Sequence, residues 1–115
     1  MSRKTEAVHD NHLERVVNLI MKSQNGNSRR LLWIMKDGLW LSEQQDRIMM
    51  PDIIACYRDN SFLLGELKSD LRHRDKAIEQ LYSGEKFVIE FFEPVSITKQ
   101  IIYYRGGEYR FENVG

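Results

Sequence analysis

Apolar residues return at helical intervals in two stretches of this chain and gather into short runs elsewhere. Leu13, Val16, Val17 and Ile20 mark one face of an amphipathic helix from about Thr5 to Lys22, with Thr5 or Asp10 able to cap its start. The polar run Ser23-Gln24-Asn25-Gly26-Asn27-Ser28 predicts a loop. Arg30 to Met35 and Leu39 to Leu41, on either side of Lys36-Asp37-Gly38, predict a β-hairpin. Met49 to Tyr57 reads as a third strand, Arg58 to Ser61 as a turn, and Phe62 to Lys68 as a fourth strand. A second helix is expected from about Arg72 to Phe92, with Ile78, Leu81, Tyr82, Val88, Ile89 and Phe92 as its apolar stripe. It should loosen near Ser83-Gly84 and stop before Pro94. Lys99 to Tyr104 and Glu108 to Phe111, around Gly106-Gly107, predict a closing hairpin. The order α-ββ-ββ-α-ββ implies an α/β (α+β) chain, a mixed sheet with helices packed on it.

Length and composition narrow this further. A chain of 115 residues with 42% hydrophobic positions suits one folded domain with one core, 1–115. No apolar run approaches the ~18–20 residues that span a bilayer, and no apolar segment follows the first residues as in a secretory signal. The single cysteine, Cys56, excludes an internal disulfide framework and suits a reducing cytoplasm. With His9, His12 and His73 it shows no zinc-ligand pattern. Net charge is zero, so any nucleic-acid footprint must be local. The densest basic stretch, Arg72, His73, Arg74 and Lys76, is interleaved with Asp70 and Asp75 and reads equally as a solvated helix start or as a phosphate-binding one.

The residues with chemical potential lie at the ends of the two central strands. If these strands pair, Asp52 and Glu66 come to the same end of the sheet, and alternation puts Glu66 and Lys68 on one face with Leu67 in the opposite layer. Two carboxylates and the Leu67 backbone carbonyl form an oxygen donor set for Mg2+, which keeps much of its water. A lysine beside them can steer an attacking water and offset charge on phosphoryl oxygens. With 17 acidic residues in the chain, about one acid-x-Lys triplet is expected by chance, so Glu66-Leu67-Lys68 means little alone. Pro51-Asp52 on the preceding strand is the rarer half. On the bare residues, a strand-end salt bridge of Lys68 with Asp52 or Glu66 fits as well as a catalytic site.

The residues Pro51-Asp52-Ile53-Ile54-Ala55, Phe62-Leu63-Leu64-Gly65-Glu66-Leu67-Lys68-Ser69 and Gln80-Leu81 resemble the PD-(D/E)xK nuclease superfamily. The resemblance to small Holliday-junction resolvases and RecB-type nuclease domains covers nearly the whole chain in element order. It implies a restriction-endonuclease-like core and a metal-dependent deoxyribonuclease, an endonuclease using Mg2+ with Mn2+ as substitute. By that likeness Asp52 and Glu66 bind the metal, Lys68 assists the attacking water, and Gln80 and a first-helix acid, Glu14, complete the site. Viral cap-snatching endonucleases of the superfamily carry a first-helix histidine ligand, and His9 lies on the apolar face near Leu13 and Val16. An RNA endonuclease is therefore one alternative, and a catalytically silent nucleic-acid-binding or protein-interaction module is another. The basic, glycine-containing N-terminal signature of archaeal junction resolvases is missing, so a junction-resolving role does not follow.

DNA is the expected partner, contacted through Arg72, Arg74 and Lys76, with a homodimer supplying two centres for two strands. A targeting protein is a further expected partner, and the small build would suit a phage or mobile element. Trp33 and Trp40 are candidate stacking platforms or core fillers. Cys56 reads as a core residue. Of Tyr103 and Tyr104, one should pack and the other face solvent or a partner.

Overall fold

The computed structural model describes residues 3–22, 30–36, 40–41, 47–48, 50–69, 71–105 and 107–115. Helix α1 (Arg3–Lys22) leads into β1 (Leu31–Lys36), a short ribbon of β2 (Trp40–Leu41) and β3 (Arg47–Ile48), then β4 (Ile53–Tyr57) and β5 (Ser61–Lys68). A single 3-10 turn (Leu71–His73) precedes α2 (Arg74–Phe92), followed by β6 (Ser96–Arg105) and β7 (Glu108–Val114). The large sheet is mixed and runs β1-β4-β5-β6-β7. All its neighbours are antiparallel except β5 and β6, whose parallel pairing follows from α2 carrying the chain back to its starting end. The α+β class, the β4–β5 hairpin and the closing β6–β7 hairpin are as the sequence implies. Among the described residues no helix is long and apolar enough to cross a membrane.

Two apolar layers sandwich the sheet. Leu13, Val16 and Ile20 of α1 pack on Ile53, Ala55, Tyr57, Leu63, Leu67 and Ile102. Ala77, Leu81 and Val88 of α2 pack on Ile54, Cys56, Phe62, Leu64, Ile101 and Tyr103 on the other side. Strict alternation along β4 and β5 sorts these residues between the layers, which is why both strands are buried along almost their full length.

Among the described residues the expected first hairpin does not form. Leu31–Lys36 pairs with β4 instead, and Trp40–Leu41 pairs with Arg47–Ile48. Pairing with β4 lets Trp33 reach Phe62 and Phe92, with ring centroids 5.9 Å away in each case. The residues 37–39 of the expected turn lie outside the described residues. Trp33 is thus a core-edge residue, while the side chain of Trp40 lies outside the described residues.

Helix α2 runs unbroken through Ser83-Gly84, where loosening was expected. Gly84 is a notch: a Cβ there would stand 2.5 Å from Pro51 Cδ. The buried stripe is Ala77, Leu81, Gly84 and Val88, while Tyr82 and Ile89 are exposed and Phe92 is 38% exposed. Small residues set the close face because α2 lies tightly on β5. The helix ends at Glu93, whose φ is 46°, and its carbonyl accepts a 2.9 Å hydrogen bond from Asn60 Nδ2. That tie fixes the C-terminus of α2 to the β4–β5 turn, and so its N-terminus to the end of the sheet bearing Glu66 and Lys68.

Candidate active site

The last rung of the β4–β5 ladder pairs Ile53 with Gly65. Beyond it side chains take over. The Asp52 N–H donates to Glu66 Oε1 at 3.1 Å, and the Leu67 N–H donates to Asp52 Oδ2 at 2.9 Å. Pro51 is buried in the Gly84 notch, which seats Asp52 at this strand end. Within a strand, the N–H and C=O of one residue point to the same edge. The Leu67 carbonyl therefore faces the Asp52 side as its N–H does. Glu66 and Lys68 lie on the α2 face, and Leu67 packs in the α1 layer, as alternation requires.

From the other layer α1 delivers His9, whose Nε2 lies 3.3 Å from Asp52 Oδ2. The His9 ring meets Tyr104 edge-on, with centroids 6.5 Å apart. One turn along, His12 stacks on Tyr104 at 4.2 Å and shares a 2.8 Å hydrogen bond with the Tyr109 hydroxyl. Tyr104 is partly buried against the two histidines on the α1 face, while Tyr103 is buried in the α2 layer. Burial, with Arg15 and His9 adding to it, pushes the His12 imidazole below its ordinary value.

Glu66 is 1% exposed, and its Oε2 is buried with no hydrogen-bond partner among the described residues. Burial raises its carboxyl pKa far above the ordinary range, and the nearby Asp52 raises it further against the weaker pull of Lys68. For Asp52, burial acts upward as the largest influence, yet His9, the Glu66 carboxyl and the Leu67 N–H together outweigh it and hold the pKa below its ordinary value. Burial and mutual nearness thus drive the two carboxyls apart, Glu66 upward and Asp52 downward.

Among the described residues no three His, Cys, Asp or Glu side chains gather as a metal-binding group. The available donors are two carboxylates and the Leu67 carbonyl. That oxygen set suits Mg2+, which is bound through one or two carboxylates and retains water. Once ionised, the Glu66 oxygen that lacks a hydrogen-bond partner would offer its lone pairs to a cation. The Gln80 Oε1 is also buried without a partner.

The remaining expected residues fall differently. Glu14 is exposed, about 140° around α1 from His9, and among the described residues no hydrogen bond or ion pair joins it to Asp52. Arg72 and Lys76 are exposed, whereas Arg74 is tied to Glu112 of β7 through Nε at 3.0 Å and Nη2 at 2.7 Å. Cys56 is buried in the α2 layer, and burial followed by Asp59 raises its thiol pKa, as suits an inert core residue. The sequence places His9 on the apolar face of α1, as the structure has it, but does not foresee the Tyr104–His12–Tyr109 group. The available signal was the i, i+3 spacing of His9 and His12 beside the apolar stripe.

No family model, no curated protein and no solved structure matches this chain.

Proposed function

We propose that this chain is a metal-dependent nuclease of the PD-(D/E)xK kind, an endonuclease that hydrolyses phosphodiester bonds in DNA. The observation that carries this reading is the reciprocal bonding of Asp52, Glu66 and Leu67 at one strand end, around a buried carboxyl with an unpartnered oxygen. A fold stabilised for its own sake gains nothing from such an oxygen, whose burial without a partner costs about 1–3 kcal/mol. A silent binding module has no use for it either.

Asp52, Glu66 and the Leu67 carbonyl would hold Mg2+, with Mn2+ able to replace it. When bound, the metal polarises a phosphoryl oxygen and makes hydroxide available near neutral pH. The Leu67 N–H and His9 fix the orientation of Asp52 beforehand, so little reorganisation accompanies binding. To hold the cation Glu66 would have to be ionised, its proton passing to solvent. Lys68, on the same face as Glu66, orients the attacking water and offsets charge on the phosphoryl oxygens. Gln80 offers its amide oxygen from α2. A homodimer with one centre for each strand, a targeting partner and a cytoplasmic setting belong to the same proposal.

The 3.3 Å approach of His9 to Asp52 favours one second reading, an RNA endonuclease in which His9 joins the ligand set. A single experiment separates the two. Wild type and Asp52→Ala are incubated with Mg2+ or Mn2+ and labelled single-stranded DNA, duplex, flap, four-way junction and RNA. Metal-dependent cutting of DNA that vanishes in the variant is the expected result. Cutting of RNA alone selects the second reading, and silence across the panel rejects both.

A further inference from the structure

Strand β7 lies at one side of the large sheet, and among the described residues no other strand pairs with its outer edge. In an antiparallel ladder alternate residues bond the neighbour on one side, so every second residue of β7 turns its N–H and C=O outward. Register with β6 sorts the side chains between the two faces. Glu108, Arg110, Glu112 and Val114 share the α2 face, where Tyr103 and Ile101 lie, and Tyr109, Phe111 and Asn113 share the α1 face. Along the first set the charge alternates, acid, base, acid. In the second set Phe111, the midpoint of the strand, is 45% exposed.

Two such edges can meet antiparallel about a two-fold axis normal to the sheet. Opposite residues then share a face, so the axis passes through a residue and never between two. An axis at Arg110 or Glu112 sets a charge against its own copy. An axis at Tyr109 or Asn113 pairs only residues 108–110 or 112–114 of the strand. An axis at Phe111 pairs all of Glu108–Val114 and sets Arg110 opposite Glu112 of the second copy, twice over. Phe111 then meets its own copy, and Tyr109 meets Asn113. Within its own chain Glu112 already accepts from Arg74 Nε at 3.0 Å and Nη2 at 2.7 Å, both on one oxygen, with Arg110 two positions along the same face. The pairing breaks none of this: a carboxylate can accept about four hydrogen bonds, and the Glu112 side chain is 33% exposed. Four charges of alternating sign, two from each copy, would close a ring on that face.

We propose that β7 is the interface at which two copies of this chain join edge to edge, antiparallel, with Phe111 on the two-fold axis and the two five-stranded sheets made continuous. The interface is isologous, the same residues serving both copies. It stands without the nuclease reading, and under that reading it sets the two centres five strand spacings, about 24 Å, apart. Charges on an edge strand have a simpler competing role, deterring any pairing with another chain. That role predicts a monomer.

Sedimentation equilibrium of the full chain should show dimers forming below about 1 mM. Arg110→Glu keeps the Arg74–Glu112 bond but sets acid against acid at two places, and should weaken dimerisation by about tenfold or more. Glu112→Arg, which sets base against base, should do the same. Mixed in equal amounts, the two variants should form a heterodimer of near wild-type affinity. The acid introduced at 110 then faces the base introduced at 112, and native Glu112 faces native Arg110. Cysteine substitutions test the register without altering these charges. Phe111→Cys should link two copies on mild oxidation, because residues opposite each other stand about 4.5–5.5 Å apart at Cα. Asn113→Cys, about 14 Å from its own copy, should stay unlinked. A wild-type chain that is monomeric up to about 1 mM overturns the interface, as does a dimer untouched by Arg110→Glu. So do folded variants that fail to associate when mixed, and equal linking through both cysteines. Metal-dependent cleavage is measured separately: dimers that never cut sink the nuclease reading alone, and a cutting monomer sinks the interface alone.

Discussion

At the scale of single residues, Asp52 and Lys68 are assigned different tasks, and the assignment makes them separable. Under the proposed function Asp52 is the metal ligand, already oriented by the Leu67 N–H at 2.9 Å and by His9 at 3.3 Å. A cation that binds only the folded state raises the melting temperature by mass action, so Mg2+ should stabilise wild type and leave Asp52→Ala unmoved. Lys68 sits on the Glu66 face, and in the proposed reaction it orients water and is not a metal ligand. Lys68→Ala should keep the Mg2+-induced thermal shift while kcat falls by about 10²–10³, the loss typical of removing one preorganised charge-stabilising group. Scanning calorimetry with and without Mg2+, beside cleavage rates, reads both quantities. Equal loss of the shift and of the rate in Lys68→Ala would make the lysine a structural partner of the carboxylates.

At the scale of elements, the site depends on how closely α2 approaches the start of β4. Gly84 permits that approach, since a Cβ there would fall 2.5 Å from Pro51 Cδ and 2.9 Å from Pro51 Cγ. Alanine is a better helix former than glycine by about 1 kcal/mol. The clash with a rigid ring should outweigh this, because overpacking costs about 1–3 kcal/mol. Gly84→Ala should therefore lower stability in urea unfolding and, through the displaced Pro51, slow cleavage even where the fold is intact. A more stable, fully active variant would show that the ring moves aside freely. The same contact shows what the chain reveals before folding. The alternation of β5 and the short turn after β4 put Asp52, Glu66 and Lys68 at one strand end, and those features are local. The partner of β1 is a long-range choice: Leu31–Lys36 suits an adjacent hairpin or the edge of β4, and only the packing of Trp33 on Phe62 and Phe92 decides it. Gly84 likewise reads as a weak point until Pro51 is seen against it. Tyr104 and Tyr109 lie 95 and 97 positions from His9 and His12, so periodicity within α1 cannot foresee them.

At the scale of the whole molecule, the raised Glu66 carboxyl ties global stability to pH. The folded chain raises this carboxyl from its ordinary value of 4.5 to about 10, chiefly by burial and then by the nearness of Asp52. Between those values the folded state holds a proton that the unfolded state has released. Stability linked to Glu66 is therefore complete below the ordinary value and drains away as pH rises toward the folded one. Asp52 is shifted the other way, so its contribution is present above its ordinary value of 3.8 and fails only as pH falls below that, outside this window. Metal-free wild type should accordingly lose melting temperature steadily from about pH 5 to 9, and Glu66→Gln, neutral at every pH and of the same shape, should lose much less. A cation reverses the trend, because it takes the place of the proton. Mg2+ binding should release a proton, and its apparent affinity should strengthen with pH by up to about tenfold per unit across the window. Thermal melts of both chains over that range, with and without Mg2+, read every part of this. If the wild-type and Glu66→Gln curves stay parallel, Glu66 is ionised in the folded chain and the two carboxylates are already held by something other than a shared proton.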